Sequence, residues 1–91
     1  MFTKTKIALI AAVLGVAGAS VATAAPKEFC RVYAHTAVNQ ANRMNALQLG
    51  CFGFRWHNWY DGHYQWCRSA SIDSARSEAI VRRAAFFNGQ C

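Results

Sequence analysis

"CFGFRWHNWYDGHYQWC", residues 51–67, holds all three tryptophans of a 91-residue chain between two of its four cysteines. How this stretch folds decides how the rest of the chain closes on itself. Asp61-Gly62 is a turn dipeptide and suits a tight hairpin turn. The apolar residues around it follow neither clean alternation nor a helical stripe. The stretch therefore reads as an ordered aromatic loop, with room for a short hairpin or for one helical turn before Cys67.

Helical periodicity flanks the loop on both sides. In residues 27–49, Phe29, Cys30, Tyr33, Ala37, Ala41, Met44 and Leu47 share one face, and Arg31, His35, Asn39 and Asn42 share the opposite one. Pro26 suits the start of this helix and Gly50 its exit. Gln40 interrupts the apolar face, where its amide needs partners. Residues 72–88 form a second helical pattern, with Ser71 as N-cap, Asp73 in the first turn and Asn88-Gly89 at the exit. Ile72, Ala75, Ala79 and Phe86 line one side of its apolar face, and Ile80, Ala84 and Phe87 the other. Arg82 and Arg83 lie in its second half. Arg76 and Arg83, one heptad apart, fall between the two apolar rows. That phase predicts Arg76 stacked on a tryptophan or bonded to loop carbonyls, and Arg83 reaching Gln40 or a main-chain carbonyl. On this reading Arg76→Ala destabilises the fold.

The first residues, "MFTKTKIALIAAVLGVAGASVATAA", carry Lys4 and Lys6, an apolar run from Ile7 to Ala19, and Ala22-Thr23-Ala24 as a small-x-small cleavage pattern. They read as a secretory signal peptide over 1–24, too short and too rich in Ala and Gly for a membrane span. The expected mature domain, 25–91, has fewer than about 70 residues, a size at which staples are needed beside one small core. Cys30, Cys51, Cys67 and Cys91 supply them: an even count in an exported short chain reads as two disulfides. No pair has the close Cys-x-x-Cys spacing of structural zinc. The chain thus reads as all-α, a disulfide-stapled antiparallel two-helix hairpin with an ordered aromatic-rich inter-helix loop. Folding such a hairpin brings Cys30 toward Cys91 at one end and Cys51 toward Cys67 at the other, so those pairings are expected.

Several residues form a pattern: Cys30-x-x-Tyr33-Ala34, Ala37-Val38-x-Gln40, Asn45, Cys51, Gly53-x-Arg55-Trp56, His63-x-x-Trp66-Cys67 and a terminal Cys91. It resembles a group of small exported four-cysteine bacterial proteins, over nearly all of the expected mature chain. The resemblance implies an exported disulfide module and carries no activity with it.

For chemistry, the sequence offers binding surfaces rather than a catalytic set. His35 has no candidate nucleophile near it, and Asp61 and Asp73 have no obvious carboxylate partner. Motifs such as Gly-x-Ser-x-Gly and His-Glu-x-x-His are absent, and no cofactor is expected. After loss of Lys4 and Lys6, Lys27 and seven arginines face Glu28, Asp61, Asp73 and Glu78. That balance favours an anionic envelope polymer, a carbohydrate, a lipid head group or a protein as partner, and the compartment argues against nucleic acid. Trp56 and Trp66, near the tethered ends of the loop, are the expected core rings. Trp59, Tyr60 and Tyr64 are the expected contact platform, with Arg55 and Arg68 meeting anionic groups. Phe52 and Phe54 fold inward if the loop serves only to complete the core. A structural or stress-related envelope protein without a small-molecule ligand is the alternative. A weaker one is a transition-metal site of His57 and His63, with Asp61 as third ligand.

Overall fold

The computed structural model describes residues 23–91, and the expected signal peptide lies outside the described residues except for its last two. Three helices make up the described chain: α1 (Lys27–Ala46), α2 (Tyr60–Ser69) and α3 (Ile72–Asn88). The β-structure among the described residues is one isolated antiparallel bridge, Ala24 to Ser71.

α1 begins behind Pro26, whose carbonyl accepts the Cys30 N–H at 3.0 Å, with Glu28 in its first turn and Arg43 in its last, both favoured by the helix dipole. It ends at Ala46, short of the expected residue 49. Gln48 takes the left-handed conformation at φ 56° and donates its N–H to the Asn45 carbonyl, which turns the chain away from the helix axis. Leu47 and Leu49 are left exposed beyond the core. α3 has the expected bounds: Ser71 Oγ accepts the Ser74 N–H at 3.0 Å, and left-handed Gly89 lets Gln90 donate to the Ala85 carbonyl at 2.9 Å.

α2 occupies most of the second half of the stretch read as a loop. Its inward residues Tyr60, His63, Tyr64 and Cys67 recur at helical spacing, with Asp61 in the first turn and Arg68 in the last. Asp61-Gly62 is therefore the start of a helix, not a hairpin turn. Gly62 is required for a different reason: a Cβ there would lie 2.6 Å from Trp59 Cε3 and 3.0 Å from His57 Cε1. Gly62→Ala should gain up to about 1 kcal/mol of helix propensity while pushing the exposed Trp59 ring off its seat. The expected outcome is a nearly unchanged melting temperature with altered near-UV circular dichroism; a large loss of stability would show that the ring cannot yield.

The extra helix adds a second reversal, and this corrects both the two-helix hairpin and the disulfide pairing. α2 runs back along α1, and after the short turn at Ala70 α3 returns. Cys30 shares a core cluster with Ala75, Arg82 bonds Gln40, and Cys51 meets Cys91. Positions advance together along both long helices, so α1 and α3 are parallel. The bridges are accordingly Cys30–Cys67 and Cys51–Cys91, each with a Cα–Cα distance of 5.5 Å, not Cys30–Cys91 and Cys51–Cys67. With α1 and α3 parallel, Cys30 and Cys91 lie at opposite ends. Both bridges fit an oxidising, extracytoplasmic compartment.

The core is small: Ala25, Cys30, Tyr33, Cys67 and Ala75 are buried together, with Phe29, Tyr64, Trp66, Ile72 and Ala79 packed against them. The Tyr33 and Trp66 rings lie 5.5 Å apart between centroids. The N-terminal segment closes the α2–α3 turn, through Ala25 N–H to the Ala70 carbonyl at 3.2 Å and Ile72 N–H to the Thr23 carbonyl at 2.8 Å. No helix among the described residues is long and apolar enough to cross a membrane.

Candidate functional site

The segment from Cys51 to Trp59 leaves α1, runs back against α1 and α3 at Asn42, Glu78 and Arg82, and enters α2. Asn58 pins it to α1 by donating to Asn42 Oδ1 at 3.1 Å. Trp56 turns inward and donates its Nε1–H to the Cys91 carbonyl at 3.4 Å, while Trp66 is half-buried. Phe52 and Phe54, expected inside if the loop only completes the core, are 85% and 65% exposed. Phe54 meets the Trp66 ring edge-on at 6.2 Å.

Of the expected platform, Tyr60 and Tyr64 come together, while the Trp59 ring lies beside His57 and over Gly62. Trp59 caps the start of α2 with its ring 67% exposed. One turn apart on α2, the Tyr60 and Tyr64 rings are nearly parallel, with centroids 6.1 Å apart. Tyr60 also borders Arg31 and His35 of α1. The two arginines expected beside this platform are engaged elsewhere. Arg55 grips Glu78 with both prongs, Nε to Oε2 at 2.7 Å and Nη2 to Oε1 at 2.9 Å, which ties the loop to α3. Arg68 donates to the Ala25 carbonyl at 2.6 Å, which ties α2 to the N-terminal segment.

A third arginine, not singled out by the sequence reading, is the buried hub. Arg82 is 2% exposed. Its Nε donates to Gln40 Oε1 at 3.0 Å, Nη2 to the Ala37 carbonyl at 3.2 Å and Nη1 to the Arg55 carbonyl, and its guanidinium lies 4.8 Å over the Trp56 ring. One group thus joins α1, the loop and α3. Arg76 and Arg83, expected on the packed face, are exposed. α3 is rotated so that Ala75, Ala79, Arg82 and Phe86 face inward, and the Ile80–Phe87 row faces solvent. The sequence held two signals for this: Gln40 needed a partner, and Arg82 lies at helical spacing on the Ala75–Ala79–Phe86 row.

His57 and His63 do meet, with rings 3.9 Å apart and 11° from parallel. Stacked imidazoles aim their in-plane lone pairs alongside one another rather than at a common point. His63 Nε2 is also engaged with the His57 carbonyl at 2.7 Å, and His57 Nδ1 accepts the Trp59 N–H at 3.2 Å. Among the described residues no cluster of three or more His, Cys, Asp or Glu side chains could hold a metal ion, so Asp61 does not complete a site.

Burial holds the His63 pKa below its ordinary 6.5, and burial pushes the Tyr33 hydroxyl up to about 12 from 10.0. In both groups burial favours the neutral form in the fold. The unfolded chain binds the extra proton at His63 below about pH 6.5 and loses one at Tyr33 above about pH 10. Stability should therefore be flat between these limits, falling on acidification and again as pH rises toward the folded Tyr33 value. Melting curves against pH should show His63→Gln losing much of the acid limb and Tyr33→Phe losing much of the alkaline one.

No protein-family model, no curated protein and no solved structure matches the chain.

Proposed function

We propose that the protein is a small, non-enzymatic, exported module of the bacterial cell envelope, periplasmic or secreted, that binds a carbohydrate-bearing or anionic envelope polymer through Trp59, Tyr60 and Tyr64. The exposed Trp59 ring, seated over Gly62 at the start of the helix that carries the Tyr60–Tyr64 pair, is the observation that carries this reading. Aromatic faces already ordered by the scaffold lose little freedom when they stack on a sugar ring. Arg31, paired with Glu28, and His35 lie beside Tyr60 at the edge of the platform. Two disulfides, the expected signal peptide and the resemblance to exported four-cysteine proteins support export.

Tryptophan emission of the disulfide-intact protein, titrated with lipopolysaccharide, soluble peptidoglycan and neutral polysaccharide, tests the reading. A shift with one of these, lost in Trp59→Ala at unchanged melting temperature, is the expected result. No response to any of them would favour the alternative, a structural or stress-related envelope protein without a small-molecule ligand.

A further inference from the structure

α2 covers one side of the α1–α3 pair. The other side, among the described residues, is an open groove. Its walls are Phe29, Val32 and Thr36 of α1 facing Ala79 and Phe86 of α3, and it deepens to a cavity of about 120 Å³ between Phe29, Tyr33 and Ala79. Gln40 and Arg82 also border it, and the rest of its lining is predominantly apolar. Along the α3 rim, Arg76, Ile80, Arg83 and Phe87 follow one another at steps of four, three and four residues, which is one stripe of a helix. Ile80 and Phe87 are 68% and 71% exposed, and the Arg83 guanidinium lies 5.6 Å over the Phe87 ring. Among the described residues, neither part of the groove lining contains a carboxylate.

We infer that this groove docks an acidic amphipathic helix of a partner protein. The partner's apolar residues enter between α1 and α3, and two of its carboxylates, one heptad apart, meet Arg76 and Arg83. Seven residues of helix advance about 10.5 Å, so a helix lying along the rim matches the spacing of the two arginines by construction. A rod fills a groove, whereas a flat lipid surface meets only its rims and reads no spacing. A second copy of this chain would set one arginine stripe against another, a like-charge arrangement that disfavours pairing. Val32 and Thr36 border both the groove and the Tyr60 surface, but Trp59 and Tyr64 do not line the groove, and the inference stands without the reading of the Trp59 platform.

A synthetic helix of about 18 residues, with a leucine face flanked by glutamates one heptad apart, tests it against a twin carrying lysines at those glutamate positions. In amide NMR spectra of the disulfide-intact protein, the acidic peptide should shift Thr36, Ala79 and Arg83 and spare Trp59 and Tyr64. The basic twin should bind at least about tenfold more weakly. The double variant Arg76→Glu/Arg83→Glu, altered only at exposed sites, should keep its melting temperature and reverse the preference. No groove shifts with the acidic peptide, or equal affinity for both peptides, would overturn the inference. So would groove shifts on phosphatidylglycerol vesicles that the acidic peptide fails to displace, which would assign the surface to lipid instead.

Discussion

Replacing Cys30 and Cys67 together by alanine should unfold the protein at room temperature, whereas the Cys51→Ala/Cys91→Ala pair should remain folded with a lowered melting temperature. Taken singly, bridges of sequence separation 37 and 40 each remove about 4 kcal/mol of chain entropy from the unfolded state in the loop-closure model. That is a large share of the 5–15 kcal/mol roughly expected of a whole small domain. The loops are alike, so the difference lies in where the sulfurs sit. Cys30 and Cys67 are fully buried in the cluster of Tyr33, Ala25 and Ala75, and truncating them also opens a void. Cys91 is the exposed last residue and Cys51 is half-buried. Circular dichroism melts of the two double variants decide it; equal stability would mean that the buried bridge adds nothing beyond closing its loop. Mass spectrometry of linked peptides checks the pairing directly.

Arg82→Met should cost about 3–5 kcal/mol, the range for removing one member of a buried, hydrogen-bonded charged network. Burial lowers the Arg82 pKa, yet three oxygen acceptors and the Trp56 face meet its charge. Methionine keeps much of the volume and removes every donor. It leaves Gln40 Oε1 buried without its partner and releases the loop carbonyl of Arg55. Gln40→Leu should be destabilising too, and the double variant Gln40→Leu/Arg82→Met should lose less than the sum of the two, because no orphaned amide remains. Arg76→Ala is the internal control. Its side chain is exposed, so the change should stay within about 0.5 kcal/mol, contrary to what the phase of α3 suggests from sequence. Denaturant titration of the four proteins measures all of these.

Both long helices, the Ser71 cap, the Gly89 exit and the need of Gln40 for a partner are legible in the sequence because each is a local signal. Trp56 inside and Trp59 outside also follow from distance to the tethered cysteines. α2 is not legible at first reading, since Asp61-Gly62 imitates a turn and His63 does not count as apolar, although Tyr60, His63, Tyr64 and Cys67 carry the helical spacing. That one omission reverses α3 relative to α1 and exchanges the disulfide partners. The rotation of α3 is hidden for another reason. Two apolar rows flank Arg76 and Arg83, and nothing local says that the Ile80–Phe87 row faces water. Arg55 and Arg68 look free because Glu78 and the Ala25 carbonyl are distant in sequence.

The bridges interlace: the second begins inside the first and ends beyond it. Consecutive cysteines bound three intervals of chain. One nick in any two of these intervals leaves every fragment tethered to another, and the product still migrates as one species without reductant. Nested bridges would let the piece from 51 to 67 escape after cuts on either side of it. In a space patrolled by proteases, the interlaced order keeps a damaged molecule in one piece.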